Sequence, residues 1–216
     1  MNQPWIKKYL TAVEVQALTE VVARSETTTR GEIVPVIVKS SSAVRHVPWI
    51  LALFMMWILS LTNSPVLDFL YQGWYSLLWF PIFLVFLGLG FVLNHFSWVQ
   101  RLFTPNADEI AAVNRRAHLE FYLNKINHTQ EAVGILIFLS LMERRVVILA
   151  DKGISQVLPE DTWQKLADEL IAAIKAGRAF EGLKVCIESC GTLLSQHLPA
   201  RAENSNELCN QLVIKE

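Results

Sequence analysis

Four acidic side chains at the ends of predicted strands and helices are the residues best placed to do chemistry. Glu32 opens the first predicted strand, Asp151 closes the third, and Glu160 and Asp161 begin the helix that follows. If the first and third strands run antiparallel, Glu32 and Asp151 share one edge of the sheet. Carboxylate oxygens are preferred ligands of Ca²⁺, which takes about six to eight oxygen ligands in all. The four residues are therefore a candidate site for Ca²⁺ or another divalent cation.

Ordinary structural roles also account for these carboxylates. Glu32 has Arg30 and Arg145 available as ion-pair partners, and Asp151 is suited to cap a turn. The two acidic residues at the helix start complement the positive end of the helix dipole. From the sequence, the metal site and the structural roles both remain open.

The sequence contains no recognisable nucleophile or metal-binding motif of a phosphatase. A cysteine-based phosphatase has an arginine six positions after its cysteine, but Thr192 follows Cys186 and Gln196 follows Cys190 at that spacing. The HExxH pattern of zinc enzymes is absent, and the histidines outside the apolar runs are scattered. Cys186 and Cys190 lie four residues apart on an apolar stripe, so we interpret them as buried small side chains rather than a reactive pair.

The order of the other predicted elements indicates an α/β fold. Strands are predicted at Ile33–Val38, Val133–Leu141 and Val146–Ala150, and the short polar joint between the last two predicts an antiparallel hairpin. Helices are predicted near residues 11–26, 106–121, 159–177 and 180–197. We therefore expect a small mixed β-sheet flanked by about four helices. Pro35 predicts an edge position or a bulge for the first strand, because proline cannot donate to a ladder.

Two apolar runs without any charged residue, Val47–Leu61 and Trp74–Leu93, interrupt this domain. The second is about twenty residues long, enough to cross a hydrocarbon core of roughly 30 Å as a helix. The first is shorter and spans only with help from its neighbours. The runs predict an inserted two-helix transmembrane hairpin. The predicted organisation is residues 1–43 and 104–199 for the two parts of the domain, 44–103 for the hairpin, and 200–216 for a polar, mobile tail in which the apolar residues Leu212–Ile214 could dock.

The distribution of charge predicts the orientation and the partners. Basic residues flank the hairpin, whereas its connection carries only Asp68, so the domain is expected on the cytosolic side of the cytoplasmic membrane. The expected partners are the lipid bilayer and a membrane protein, and Gly88 and Gly90 permit a homo-oligomer. A net charge of −1 with a pI of about 6.5 gives no indication of nucleic-acid binding.

Three stretches of the chain resemble the TPM domain family. They are TRGEIVPVIV (Thr29–Val38), ILIFLSLMERRVVILADKGI (Ile135–Ile154) and LPEDTWQKLADELIAAIKAGRAFEGLKVCIESC (Leu158–Cys190), within residues 8–42 and 105–199. The resemblance implies a TPM-like α/β fold and one of three roles: acid phosphatase, calcium-binding module, or auxiliary factor in the assembly or repair of membrane complexes. The inserted hairpin departs from relatives that carry a signal peptide and one C-terminal span.

Two functions from different classes follow as expectations. The missing catalytic motif favours a membrane-anchored, non-catalytic auxiliary or assembly factor that docks on a membrane partner. The alternative is a metal-dependent acid phosphatase that uses the edge formed by Glu32 and Asp151.

Overall fold

The computed structural model of the chain describes residues 3–42, 47–61, 79–93, 96, 99, 105–201 and 207–215. The chain divides into two compact units. One unit consists of Met1–Ser41 and Ile110–Glu216 and contains the β-sheet, and the other consists of Ser42–Glu109 and contains two apolar helices.

The first unit is built on a four-stranded mixed sheet with the strand order β3-β2-β1-β4. The strands are β1 (Glu32–Val38), β2 (Gly134–Ser140), β3 (Arg145–Ala150) and β4 (Val213–Lys215). β1 pairs parallel with β2 and β4, whereas β2 pairs antiparallel with β3. The predicted α/β class, the mixed sheet and the antiparallel hairpin are confirmed.

Seven α-helices accompany the strands in the described residues. They are α1 (Ala12–Glu26), α2 (Val47–Leu61), α3 (Trp79–Leu93), α4 (Asn106–Leu123), α5 (Lys152–Ser155), α6 (Glu160–Lys175) and α7 (Ala179–His197). α1 begins with the capping box that its sequence indicates, in which the Glu14 N–H donates to the Thr11 hydroxyl at 3.3 Å and the Thr11 N–H donates to the Glu14 carboxylate at 2.6 Å.

Helices cover both faces of the sheet, so alternate residues of β1 and β2 enter two different cores. Every residue of β1 and β2 is buried, which explains why both strands are apolar without alternation. On one face, α1, α6 and α7 contribute to a core with Ile33, Ile37, Ile135, Ile137, Leu18, Trp163, Leu170, Leu183 and Ile187. On the other face, α4 contributes to a core with Val34, Val36, Leu136, Phe138, Val113, Ala117 and Phe121.

β1 as a whole is an internal strand, so the edge position predicted for Pro35 applies only to the part of β1 that β4 does not pair with. β4 pairs with β1 only at residues 36–38, so Pro35 precedes the paired stretch. The Glu32 N–H donates to the Val133 carbonyl oxygen at 3.1 Å, on the side of β2. The Ile33 N–H points away from β2 and donates to the Glu26 carboxylate. Because backbone groups alternate in direction along a strand, the nitrogen of Pro35 points away from β2, as that of Ile33 does. β4 does not reach this position, so the missing N–H of Pro35 costs no hydrogen bond between strands.

The C-terminal tail is part of the sheet rather than only a polar appendage. Leu212 is buried, and the Lys39 N–H donates to the Lys215 carbonyl oxygen at 3.2 Å. The Lys215 ammonium group also pairs with Glu120 of α4, whose carboxylate is fully buried and accepts from Arg116 at 3.1 Å. The tail therefore ties the sheet to α4 through both its backbone and its last described side chain.

The second unit contains two packed apolar helices, α2 and α3. A Cβ at Gly90 would lie 2.7 Å from the Pro48 carbonyl oxygen, so glycine permits close packing between the helices. The rings of Trp49 and Phe83 lie 6.4 Å apart between centroids. Many other large apolar side chains of the two helices are exposed, among them Leu53, Phe54, Trp57, Phe80, Leu84, Val85, Phe91 and Val92.

The described part of each helix is shorter than the run of about twenty residues that crosses a bilayer. Each contains fifteen residues. At 1.5 Å per residue this is about 22 Å, against a hydrocarbon core of roughly 30 Å. The predicted second span begins at Trp74, but residues 74–78 lie outside the described residues. Across the described parts of the chain, every helix falls short in length or in apolar character of what crossing a bilayer requires, so the prediction of two membrane-crossing helices is not supported.

The substitution Gly134→Ala is expected to lower the free energy of unfolding of the α/β unit by about 1–3 kcal/mol. The added Cβ would lie 2.5 Å from Ile126 Cγ2 and 2.6 Å from the Ile126 carbonyl oxygen, where the backbone cannot easily yield. Urea unfolding of the full chain in detergent, followed by circular dichroism, measures the effect. Gly88→Ala is the control, because its methyl group enters open space. Equal stability of the Gly134 variant and the parent chain would contradict the packing described.

Candidate functional site

Glu32, Gly134 and Asp151 lie in one row at one edge of the sheet. Glu32 pairs with Gly134 across β1 and β2, and the Asp151 N–H donates to the Gly134 carbonyl oxygen at 2.9 Å. The two acids therefore share an edge, but β2 lies between them. Neighbouring strands are separated by about 4.8 Å, which puts the two acidic backbones about 10 Å apart. Ile126 packs onto Gly134 in this interval.

The carboxylate of Glu32 is buried and holds the C-terminal segment. It accepts the backbone N–H groups of Glu207 at 3.3 Å and Leu208 at 3.4 Å. Burial raises the pKa of Glu32, and these two donors oppose that shift because they favour the charged form. Arg30, a predicted partner of Glu32, forms its ion pair with Glu131.

Glu26, the last residue of α1, is a second buried carboxyl group next to Glu32, and the sequence analysis missed it. Its carboxylate accepts the Ile33 N–H at 2.8 Å and the side-chain amide of Asn210. Burial, reinforced by the charge of Glu32, raises the pKa of Glu26 to about 8 despite these donors. An acidic residue at a helix C-terminus opposes the helix dipole, and this was the available signal that Glu26 is held by tertiary contacts.

Asp151 is the N-cap of the short helix α5. Its Oδ1 accepts the Lys152 N–H at 2.7 Å, which is the structural role that the sequence left open. Its Oδ2 is buried and has no hydrogen-bond partner among the described residues. Asp151 therefore retains one acceptor oxygen that the described part of the chain does not use.

Glu160 and Asp161 lie at the start of α6, on the other side of the sheet. α6 packs through Trp163 and Leu170 into the core that α1 and α7 share, whereas strand alternation directs Glu32 and Asp151 towards the face that α4 covers. Asp161 is exposed, and the side chain of Glu160 lies outside what the structure describes.

The structure does not bring the described members of the predicted cation site together. Within the described ranges, no three side chains of His, Cys, Asp or Glu are placed to hold one metal ion. Glu32 holds the tail, Asp151 caps a helix, and Asp161 lies on the opposite face. A Ca²⁺ or other divalent-cation site at Glu32, Asp151, Glu160 and Asp161 stays a prediction.

Cys186 and Cys190 of α7 are both buried, as predicted. A hydrogen bond with Cys186, together with burial, raises the pKa of the Cys190 thiol well above its usual range. Because the thiolate is the nucleophilic form, this environment is unsuited to cysteine-based catalysis.

A groove of about 350 Å³ runs along the outer edge of β3, between α4 and α6. Its floor is the stretch from Arg145 to Leu149. One wall is formed by Ile110, Val113, Asn114 and His118 of α4, and the other by Trp163, Gln164, Ala167, Asp168 and Ile171 of α6. The sequence analysis missed this groove, because the neighbours of an edge strand come from helices distant in the chain.

Comparison with known proteins supports the fold. The family model for the TPM domain matches residues 99–193, which is less than half of the chain. The NMR structure of the BA42 protein from the psychrophilic bacterium Bizionia argentinensis is similar, with a TM-score of 0.60 at 20% identity over 99% of each chain. No curated protein matched the chain. The family match supports the resemblance over its C-terminal part, and the structural match shows the fold alone.

The substitution Glu26→Gln is expected to reduce the pH dependence of stability. A carboxyl whose pKa rises from 4.5 to about 8 on folding stabilises the protein fully below its unfolded value, and this contribution is lost as the pH rises through about 8. In this window the free energy of unfolding of the parent chain should fall by up to about 1.4 kcal/mol per pH unit. Urea unfolding at a series of pH values measures the slope.

The control for this experiment is Glu20→Gln, an exposed position on the same helix. That variant should retain the slope of the parent chain. The interpretation of Glu26 as a buried, protonated carboxyl would be wrong if Glu26→Gln and Glu20→Gln gave the same slope.

Proposed function

We propose that this chain is a membrane-anchored TPM-like protein that acts as a non-catalytic auxiliary or assembly factor and docks on a membrane protein partner. The observation that carries this proposal is the exposed apolar surface of α2 and α3. The two helices contain no Asp, Glu, Lys or Arg, and large apolar side chains are exposed along both.

Physical chemistry favours a lipid environment for this surface. Burying one large apolar side chain contributes about 1.5–3 kcal/mol, and several such side chains are exposed here. Helices that lie flat on a membrane carry a charged face, which α2 and α3 lack. Helices that are apolar on all sides belong in a protein core or in hydrocarbon. In the sequence, the charge-free run of α3 also extends back to Trp74.

The basic residues around the hairpin support a cytosolic location for the α/β unit. Lys39 precedes the apolar runs, and Arg115 and Arg116 follow them, whereas Asp68 is the charged residue of the connection. Positive charge near membrane segments is retained in the cytosol. The hairpin would then enter the bilayer of the cytoplasmic membrane from its inner side.

The roles of the acidic side chains favour the non-catalytic function. Glu26 and Glu32 hold the C-terminal segment, and Asp151 caps α5. The Cys190 thiol is held in its protonated form by its surroundings. An enzyme site requires several polar groups that converge on one substrate, whereas these groups are engaged in separate structural contacts.

The full chain is expected to float with phosphatidylcholine vesicles in a density gradient and to resist extraction by high salt. The double substitution Leu53→Lys with Val85→Lys, at two exposed positions of α2 and α3, should lower the bound fraction by about 100-fold or more. Lysine in hydrocarbon is costly, which explains the direction of the effect.

Val13→Lys with Val185→Lys is the matched control, because these apolar residues are also exposed but belong to α1 and α7. This variant should float like the parent chain. Recovery of the parent chain at the bottom of the gradient as a dimer would contradict lipid anchoring and indicate that the hairpin is covered by a second copy.

A second candidate function, a metal-dependent phosphatase, is favoured only by the Oδ2 of Asp151, which has no hydrogen-bond partner in the described part of the chain. Under the docking proposal, millimolar Ca²⁺ should leave the midpoint of thermal unfolding unchanged. Glu32 already accepts hydrogen bonds from the C-terminal segment, and Asp161 is exposed on the opposite face of the sheet. A native-state ligand at a hundredfold excess over its Kd stabilises by about 2.7 kcal/mol, which a thermal scan detects. A Ca²⁺-dependent rise that is lost in Asp151→Asn would favour the phosphatase instead.

A further inference from the structure

We propose that the groove along β3 binds one extended segment of a partner polypeptide, which joins the sheet as an additional strand. The proposal rests on the proposed docking function and names the surface through which the α/β unit docks. The segment is defined by its chemistry: alternating apolar side chains with an acidic residue near Arg145.

The backbone of β3 presents a row of hydrogen-bonding groups to the groove. The Asp151 N–H faces β2, where it donates to the Gly134 carbonyl oxygen. Because backbone direction alternates along a strand, Val147 and Leu149 face β2 as well, whereas Val146 and Ile148 face the groove. β3 is the outermost strand of the sheet in the described part of the chain. An extended peptide supplies partners for these N–H and C=O groups at the spacing of a ladder.

The two walls of the groove suit the side chains of an added strand. Successive side chains of such a strand point to opposite faces of the sheet. On one face they would meet Ile110 and Val113 of α4, and on the other Trp163 and Ile171 of α6. Apolar side chains on both faces of the incoming segment therefore find apolar surface, while the backbone between them pairs with β3.

Arg145 adds a charged determinant at one end of the groove. It is the first residue of β3 and lines the groove. Its Nε is buried without a hydrogen-bond partner among the described residues. A buried charged donor without a partner is costly, and a carboxylate satisfies it with a strong, charge-assisted hydrogen bond. Asp168 on the opposite wall accepts from Gln164 at 3.0 Å, and among the described residues it does not accept from the Arg145 Nε.

The walls also argue against a second copy of this chain as the occupant. Edge-to-edge pairing would require two β3 strands to approach to about 4.8 Å. Each copy carries α4 and α6 on either side of its β3 edge, so the helices of the two copies would meet before the strands could pair. A single extended segment has no such obstruction.

The test uses the full chain in detergent and a phage-displayed library of random peptides of about seven residues, the length of an ordinary strand. Selected peptides are resynthesised, and amide hydrogen exchange is followed by NMR. Binding is expected to slow exchange at Val146 and Ile148 by about tenfold or more, while Val147 and Leu149, already paired with β2, change little. N-methylation at alternate peptide positions should weaken binding by about tenfold.

Gln164→Trp, which places a large side chain in the groove, should abolish peptide binding. Lys165→Trp is the matched control, because this neighbour on α6 is also exposed but does not line the groove. Arg145→Gln should remove the preference for an acidic residue in the selected peptides. These three results together would support the added strand.

The proposal is overturned if no peptide is selected, if protection appears elsewhere, or if Val146 and Ile148 are already protected without peptide. Protection that rises with protein concentration would assign the edge to a second copy and would overturn it as well. The vesicle assay does not involve the groove. Flotation without peptide binding therefore rejects the groove alone, and peptide binding without flotation rejects the membrane anchor alone.

Discussion

The parallel pairing of β1 with β2 joins two segments of chain that are separated by the complete helical hairpin. β1 contributes to both cores, since its odd-numbered residues pack with α1, α6 and α7 and its even-numbered residues pack with α4. Without β1, the β2–β3 hairpin would lose its parallel neighbour and β4 would have no strand to join. The cost of closing a longer loop grows slowly, by about 0.6 kcal/mol for each doubling of length. A long insertion after β1 is therefore compatible with a stable sheet.

Three buried acidic side chains hold the C-terminal segment, which this topology places beside β1. β4 comes from the end of the chain and is only three residues long, so its backbone pairing alone would hold it weakly. Glu26, Glu32 and Glu120 each accept hydrogen bonds from the C-terminal segment, at Asn210, at residues 207–208 and at Lys215. Burying carboxyl groups is costly unless they are hydrogen-bonded or protonated. The tail supplies those hydrogen bonds, and the carboxyl groups in turn fix the tail.

This arrangement explains why Glu32 and Asp151, at one edge of the sheet, resembled a cation site in the sequence. An acidic residue at a strand end is equally suited to a metal ion and to backbone N–H groups, because both are partners of carboxylate oxygens. The choice depends on what the remote segment 207–210 places beside Glu32, and no local pattern records that. The sequence also gave no sign that Ile126 would pack onto Gly134 between Glu32 and Asp151.

Features that depend on neighbouring residues could be predicted, and features that depend on remote segments could not. The capping box at Thr11 and Glu14 and the antiparallel pairing of β2 with β3 follow from local spacing, and the structure contains them. The position of Pro35 depends on where β4 begins to pair, which is set by residues almost two hundred positions later. The apolar runs predicted helices correctly, since α2 has the predicted bounds and α3 lies within the second predicted run.

The helices α4 and α6 flank the outer edge of β3, where they both limit sheet-to-sheet association and leave a groove. An outermost strand carries unpaired backbone groups and invites uncontrolled association with other strands. β3 is short and has helices on both faces, so flat edge-to-edge contact with another sheet is obstructed. The same helices leave space between them, because the groove they enclose retains about 350 Å³ above the strand. Protection against association of whole sheets is therefore compatible with access for one extended chain, and under the proposed strand addition the spacing of α4 and α6 would set that selectivity.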